Sequence, residues 1–339
     1  MKSNMVVIFR ADGSVDIGTG HIFRCLVLAL ELIRQGHQVC FLIKDLPGAP
    51  IHRLEQHNIP VIKIPVQDDF DAEQQFVMEY LKTRQADWVV VDHYQVKEDY
   101  YLQLKELGLK VLAIDDINHT RFPVDVLMNQ NILASSYNYQ CLDDTISLFG
   151  PRYALVRDVY RSKREEILIR NQLKNIFIFM GGGDPYNITL KILEDLNSAE
   201  GRYHLDIILG SACPHEASIQ QYSSRSKHTM KIYKDIDHLA DLMLNADIAI
   251  GAGGSTTWEM CVLFLPIVTV PFAPNQIDIG RGIMNKGAGI YIPDYVHEDG
   301  HIISQKLGQL SSIQLCQMSE RAGNLCDGSG VFQIIKNMR

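Results

Sequence analysis

RADGSVDIGTGHIFRCLVLALELIRQG, residues 10–36, carries the end of an apolar run through a glycine-rich turn into an amphipathic one. The run before it, MVVIFRA (5–11), reads as a β-strand. Ile22, Cys25, Leu26, Ala29, Leu30 and Ile33 then recur at three- and four-residue spacing, which predicts a helix over 22–34. Gly18, Gly20 and His21 fall where strand gives way to helix. Residue types alone leave two roles open for His21, a reagent or a first-turn helix residue that only hydrogen-bonds.

The same alternation continues outward. Strands are predicted at QVCFLIK (38–44), VIKI (61–64), DWVVVD (87–92), KVLAID (110–115) and DVLMNQ (125–130), with helices around 71–83 and 97–106 between them. Strands so apolar on both faces belong between two helix layers. Regularity lapses over 138–173, which includes the charged RSKREE (161–166) and reads as the passage between two lobes. It restarts with NIFIFM (175–180), LDIILG (205–210), MKIY (230–233), DIAIG (247–251), PIVTVP (266–271) and GIYI (289–292). Helices are expected near 187–197, 215–224, 237–245, 255–264 and 276–286, and two more segments, 300–311 and 313–338, finish the chain. The expectation is an α/β protein of two Rossmann-like domains, 1–150 and 151–339, facing each other across a cleft. Ligands of such open sheets bind beyond the carboxyl ends of the strands.

A length of 339 residues suits two domains. With 32 basic against 40 acidic residues and no basic block, the chain offers nothing to neutralise a run of phosphates, so nucleic acid is not an expected partner. No stretch of about 18 apolar residues exists, so no membrane is expected either, and the reading is cytoplasmic. The seven cysteines form no C-x-x-C pair and suggest neither a zinc knuckle nor a disulfide framework.

Glycines recur at predicted strand ends in DIGTGH (16–21), MGGGDP (180–185) and GAGGST (251–256). Each precedes a helix, whose unpaired N–H groups and dipole attract an anion, although a tight turn alone explains each. GTGHIF has two of the three glycines of the dinucleotide fingerprint, and no G-x-x-x-x-G-K-[ST] is present. In GAGGSTTWEM, Gly253 and Gly254 expose backbone donors, Ser255 and Thr256 add hydroxyls, and Glu259 lies one turn on, where it can accept from ribose hydroxyls. A capping box from Ser255 or Thr256 to Glu259 is the alternative.

Residues 234–276 resemble the nucleotide-binding lobe of GT-B glycosyltransferases, in particular the N-acetylglucosaminyl transferase of peptidoglycan synthesis. RADGSVDIGTGHIFRCLVLA, with DHY (92–94), IDD (114–116), GPRYALVR (150–157) and GGGDP (181–185), is similar to the UDP-2,4-diacetamido-2,4,6-trideoxy-β-L-altropyranose hydrolases of pseudaminic acid biosynthesis. That resemblance implies a hydrolase that uses neither cofactor nor metal and splits the anomeric carbon–oxygen bond of a UDP-sugar with inversion. It implies that His21 activates water, that Gly20, Tyr94, Asn275 and Gln276 lie near the sugar, and that Gly182, Ser255, Thr256 and Glu259 bind the diphosphate and ribose. It places uracil at Ile236. Where relatives often have serine, this chain has Gly183.

At a helix start the positive end of the dipole favours the neutral imidazole that a base requires. His93 and Tyr94 follow the strand that ends at Asp92, at the same edge, where Tyr94 can hydrogen-bond an acetamido group and Asp92 can orient a neighbour. Asp115, Asp116 and His119 read as turn residues first and substrate contacts second. Arg10 and Arg24 are expected to pair with Asp12 or Asp16. The rival functions are a transferase on the same fold and a silent UDP-sugar binder; an epimerase needs further carboxylates that the sequence does not place.

Overall fold

The computed structural model describes residues 4–14, 17–66, 70–236, 239–297 and 300–339. The chain divides into two compact units, Met1–Val156 with Ser329–Arg339, and Arg157–Gly328.

The first unit is built on seven parallel strands: β1 (Val6–Ala11), β2 (Gln38–Lys44), β3 (Val61–Ile64), β4 (Trp88–Asp92), β5 (Lys110–Ile114), β6 (Val126–Asn129) and β7 (Ile146–Phe149). They lie in the order β3-β2-β1-β4-β5-β6-β7. One face of β1 (Val7, Phe9, Ala11) packs with Ile22, Cys25 and Ala29 of α1 (Gly20–Arg34). Ile8 on the other face joins Val77 of α3 (Phe70–Lys82) and Leu104 of α4 (Glu98–Glu106). The short α2 (Ile51–Gln56) had no periodic signature in the sequence.

The second unit holds six parallel strands: β8 (Asn175–Phe179), β9 (His204–Leu209), β10 (Thr229–Lys234), β11 (Ile248–Gly251), β12 (Ile267–Thr269) and β13 (Gly289–Tyr291). Their order is β10-β9-β8-β11-β12-β13. Its helices are α5 (Asp158–Ser162), α6 (Ile188–Leu196), α7 (Glu216–Ser223), α8 (Ala240–Asn245), α9 (Thr256–Val262), α10 (Pro274–Asn285), α11 (Ile302–Gly308) and α12 (Ser312–Leu325). In each sheet the strand order reverses once, between β1 and β4 and between β8 and β11, and the carboxyl ends there are where a doubly wound sheet takes its ligand.

Three expectations are corrected. Residues 138–173 are not all connection: Ile146–Phe149 completes the first sheet, and the charged stretch after Arg157 belongs to the second unit. Arg164 donates to the carbonyls of Val262, Gly323 and Cys326, and Arg170 to those of Met243, Ala246 and Leu263. Both arginines thus satisfy carbonyls at the ends of helices α8, α9 and α12. The helix expected over 313–338 is two, interrupted where Gly328 takes φ +77°. Its second part, α13 (Gly330–Asn337), packs Val331, Ile334 and Ile335 into the core of the first unit rather than the second.

Candidate active site

The β1–α1 turn folds back on itself: Gly18 N–H donates to Ser14 O at 2.9 Å, and Ile17 N–H to Ser14 Oγ at 3.0 Å. Gly18 has φ +82°, a conformation costly for any residue with a Cβ. Thr19 stands at the N-cap without a side-chain bond, and no acidic residue occupies the first turn of α1. Gly20 is exposed, and an added Cβ there meets nothing within 4 Å. Next to it, His21 is buried, its Nδ1 2.6 Å from Oδ1 of Asp92 at the end of β4. Arg24 Nη2 lies 3.1 Å from the same Nδ1 but donates to Asp92 Oδ1 at 2.5 Å. The nearer partner of Nδ1 is the carboxylate, which only accepts, so Nδ1 carries the hydrogen and Nε2 of the neutral ring keeps its lone pair. That nitrogen has no hydrogen-bond partner among the described residues.

Asp92 is fully buried. Burial pushes its carboxyl up, but the charge of Arg24, together with the hydrogen bonds from Arg24 and His21, outweighs this and holds it well below the usual range. Arg24 bridges to Asp116, and Asp116 accepts from Tyr94 Oη at 2.9 Å. The rings of Tyr94 and His21 meet edge to face, with centroids 4.6 Å apart. The first unit thereby joins His21, Asp92, Tyr94 and Asp116 into one cluster. Asp116, read first as a turn residue, belongs to it; Arg24, expected to pair with Asp12 or Asp16, pairs with Asp92 and Asp116 instead. Asp16 lies outside the described residues.

Asp115 does serve the turn, accepting from the N–H groups of Ile117 and Asn118 at 3.0 and 2.7 Å. His93 has other partners than His21. Its Nδ1 accepts from Gln95 N–H at 3.1 Å, so its Nε2 donates to Asp12, at 3.1 Å. Burial lowers the His93 pKa, which keeps that neutral tautomer in place. Arg10 pairs with Asp12 as expected and also with Glu73, which Lys44 binds as well. Donor atoms of Asp12, Glu73 and His93 all lie within 4.8 Å of one another, a spacing that suits a metal ion. Here two protein cations already answer the two carboxylates, and the His93 nitrogen turned towards them carries a hydrogen.

In the second unit, Gly253 has φ +87° and an added Cβ would lie 3.2 Å from Gln276 O, so the turn after β11 needs glycine there. Gly254 is open, with no atom within 4 Å of an added Cβ. Ser255 is exposed and Thr256 half-buried at the start of α9, and neither hydroxyl is used in a cap. The capping box does not form: Glu259 takes Arg157 Nε, at 3.0 Å, in place of helix N–H groups. Gln276 Oε1 accepts from Phe272 and Ala273 N–H at 2.9 and 3.1 Å and starts α10, so only its amide N–H groups remain for a ligand. Asn275 beside it is exposed, and Ile236 is half-buried after β10.

MGGGDP differs from the other glycine turns. Asp184 is buried and accepts from Ile188 and Thr189 N–H at 2.8 and 3.0 Å, so the donors at the start of α6 hold a protein carboxylate rather than awaiting an anion. A Cβ on Gly210 would lie 2.3 Å from Gly182 O, so Gly182 is held by close backbone contact. Gly183 has open space around a Cβ, so a small side chain such as serine would fit there.

Two doubly wound parallel halves of this kind are the GT-B class of fold, and residues 175–327 match the glycosyltransferase family 28 C-terminal domain. The solved structure of Acinetobacter baumannii MurG superposes with TM-score 0.74 at 18% identity, covering 98% of each chain. Among curated proteins, the uncharacterized protein MJ1062 of Methanocaldococcus jannaschii is 30% identical over 331 residues, 91% of this chain. The chain spans 66% of that relative's length. The UDP-2,4-diacetamido-2,4,6-trideoxy-beta-L-altropyranose hydrolase of Campylobacter jejuni is 27% identical over 286 residues, covering 84% of this chain and 97% of its own. No helix among the described residues is long and apolar enough to cross a membrane.

Proposed function

We infer that the protein hydrolyses a UDP-linked 2,4-diacetamido-2,4,6-trideoxyhexose, releasing UDP. The observation that carries this is the His21–Asp92 pair, which leaves Nε2 as a bare base at the point where the first sheet reverses its order. Similarity to the Campylobacter hydrolase along most of that protein's length supports the choice of substrate. His21 Nε2 takes a proton from water as the water oxygen bonds to the anomeric carbon. The bond from that carbon to the diphosphate oxygen breaks, its electron pair leaves with UDP, and the configuration inverts. The first unit supplies the base and the sugar contact Tyr94. The second supplies the nucleotide contacts: Gly254, Ser255 and Thr256 for the diphosphate, Glu259 for ribose and backbone near Ile236 for uracil, with Asn275 and Gln276 towards the sugar. No metal or cofactor enters the scheme.

Transfer to an acceptor other than water is the second reading, and the family 28 match in the second unit favours it. UDP release from UDP-2,4-diacetamido-2,4,6-trideoxy-β-L-altropyranose separates the two when measured without acceptor and in EDTA. Release by the native protein, lost by about 100-fold or more in His21→Ala, establishes hydrolysis with His21 as base. Release only after an acceptor is added makes it a transferase, and full activity in His21→Ala leaves His21 a helix residue.

A further inference from the structure

Asp116 dictates the direction of a hydrogen bond beside His21. Its Oδ2 lies 2.6 Å from Arg24 Nη1 and 2.9 Å from Tyr94 Oη, and its Oδ1 lies 3.3 Å from Asn131 Nδ2. The guanidinium and the amide NH2 only donate, and the carboxylate between them only accepts. The phenol hydrogen of Tyr94 is therefore committed to Asp116. Burial first, and the charge of Asp116 second, raise the Tyr94 pKa and keep that hydrogen in place. What Tyr94 retains for a ligand is lone pairs, on a half-buried side chain whose ring meets that of the base.

An acceptor that cannot reverse its role distinguishes groups that a versatile one does not. Sugar hydroxyls both donate and accept, and adapt to either partner. An amide N–H only donates, while the oxygen that replaces it in an ester only accepts. Facing Tyr94, that ester oxygen would set lone pair against lone pair and leave a half-buried acceptor unmet.

We propose that Asp116 makes Tyr94 a dedicated acceptor for the N–H of an acetamido group on the sugar, so that the site selects N-acetylated over O-acetylated sugars. The proposal rests on the reading of the chain as an enzyme of UDP-sugars. Asp116 is a positioning residue in it, acting through Tyr94 without touching the substrate.

The test compares kcat/KM for UDP-2,4-diacetamido-2,4,6-trideoxy-β-L-altropyranose with that for two analogues, each with one acetamide replaced by an acetate ester. UDP binding by calorimetry accompanies every variant. In the native protein one ester is expected to fall roughly 10-fold or more below the diamide. Tyr94→Phe, which lacks the acceptor, should bring the ratio close to one. In Asp116→Asn the amide N–H can donate to Tyr94 and release its hydrogen, and the penalty should shrink again. Tyr94→Phe decides the matter even if Asp116→Asn does not fold. Equal turnover of all three sugars by the native protein, or a penalty that persists in Tyr94→Phe, overturns the proposal. Failure of the native protein to bind UDP or to turn over any of the sugars overturns the functional reading instead, and the proposal with it.

Discussion

Arg24 holds Asp92 by both oxygens, with Nε 2.5 Å from Oδ2 and Nη2 2.5 Å from Oδ1, and reaches on to Asp116 Oδ2 at 2.6 Å. One cation thus answers two buried carboxylates. Replacing it, as in Arg24→Met, strands both, and breaking a buried pair in this way costs about 3–5 kcal/mol. Urea unfolding at neutral pH checks this, and a loss below about 1 kcal/mol would mean that the carboxylates find other partners.

Asp92→Asn keeps the shape but lets the amide offer a hydrogen to Nδ1, so the tautomer with a bare Nε2 is no longer enforced. UDP release should fall by about 10²–10⁴ in kcat, the usual size of a general-base contribution, with KM little changed. An unchanged kcat would remove the His21–Asp92 pair from the chemistry.

Gly253→Ala places a Cβ 3.2 Å from Gln276 O at φ +87°. The backbone strain alone costs roughly 1–3 kcal/mol, and shifting the turn moves the donors of Gly254 and Ser255. Expected outcomes are a lower melting temperature and weaker UDP binding. Calorimetry showing native UDP affinity would separate this turn from the nucleotide.

His119 gives the fold a pH dependence of its own. Its Nε2 lies 2.7 Å from Val96 O and its Nδ1 3.2 Å from Asp115 Oδ1, two acceptors that favour a hydrogen on each nitrogen. The hydrogen bond to Asp115, ahead of the opposing effect of burial, raises its pKa. A raised value means that its stabilisation is complete below the unfolded pKa, near 6.5, and fades as pH rises through the folded one. The destabilisation caused by His119→Gln should be larger at about pH 5.5 than at about pH 8.5. A pH-independent difference would show that the imidazolium contributes nothing.

The β-sheets were legible because their strands are apolar on both faces: 38–44 and 61–64 were bounded in the sequence where the structure bounds them. Ile146–Phe149 was missed because an edge strand needs no apolar run, and here Ile146 and Ser147 are exposed. His21 and the glycine turns were visible as local patterns. Arg24, by contrast, meets Asp92 and Asp116 across 68 and 92 residues, a contact that only the parallel order of β1, β4 and β5 creates. The carboxylate of Asp184 in the start of α6 is hidden for the opposite reason, since the glycines beside it suit an external anion equally well.

The route of the chain through its two units sets an order for synthesis. Val331, Ile334, Ile335 and Met338 belong to the core of the first unit, yet they follow the whole of the second, which ends at Gly328. A nascent chain that has finished Val156 therefore has its first sheet but leaves the place beside α1 unfilled until α13 is made. At about 5–20 residues per second that interval is on the order of 10 s or more. Throughout it the second unit can fold to completion, while the first waits for its last helix; on the ribosome, the unit begun first is the one finished last.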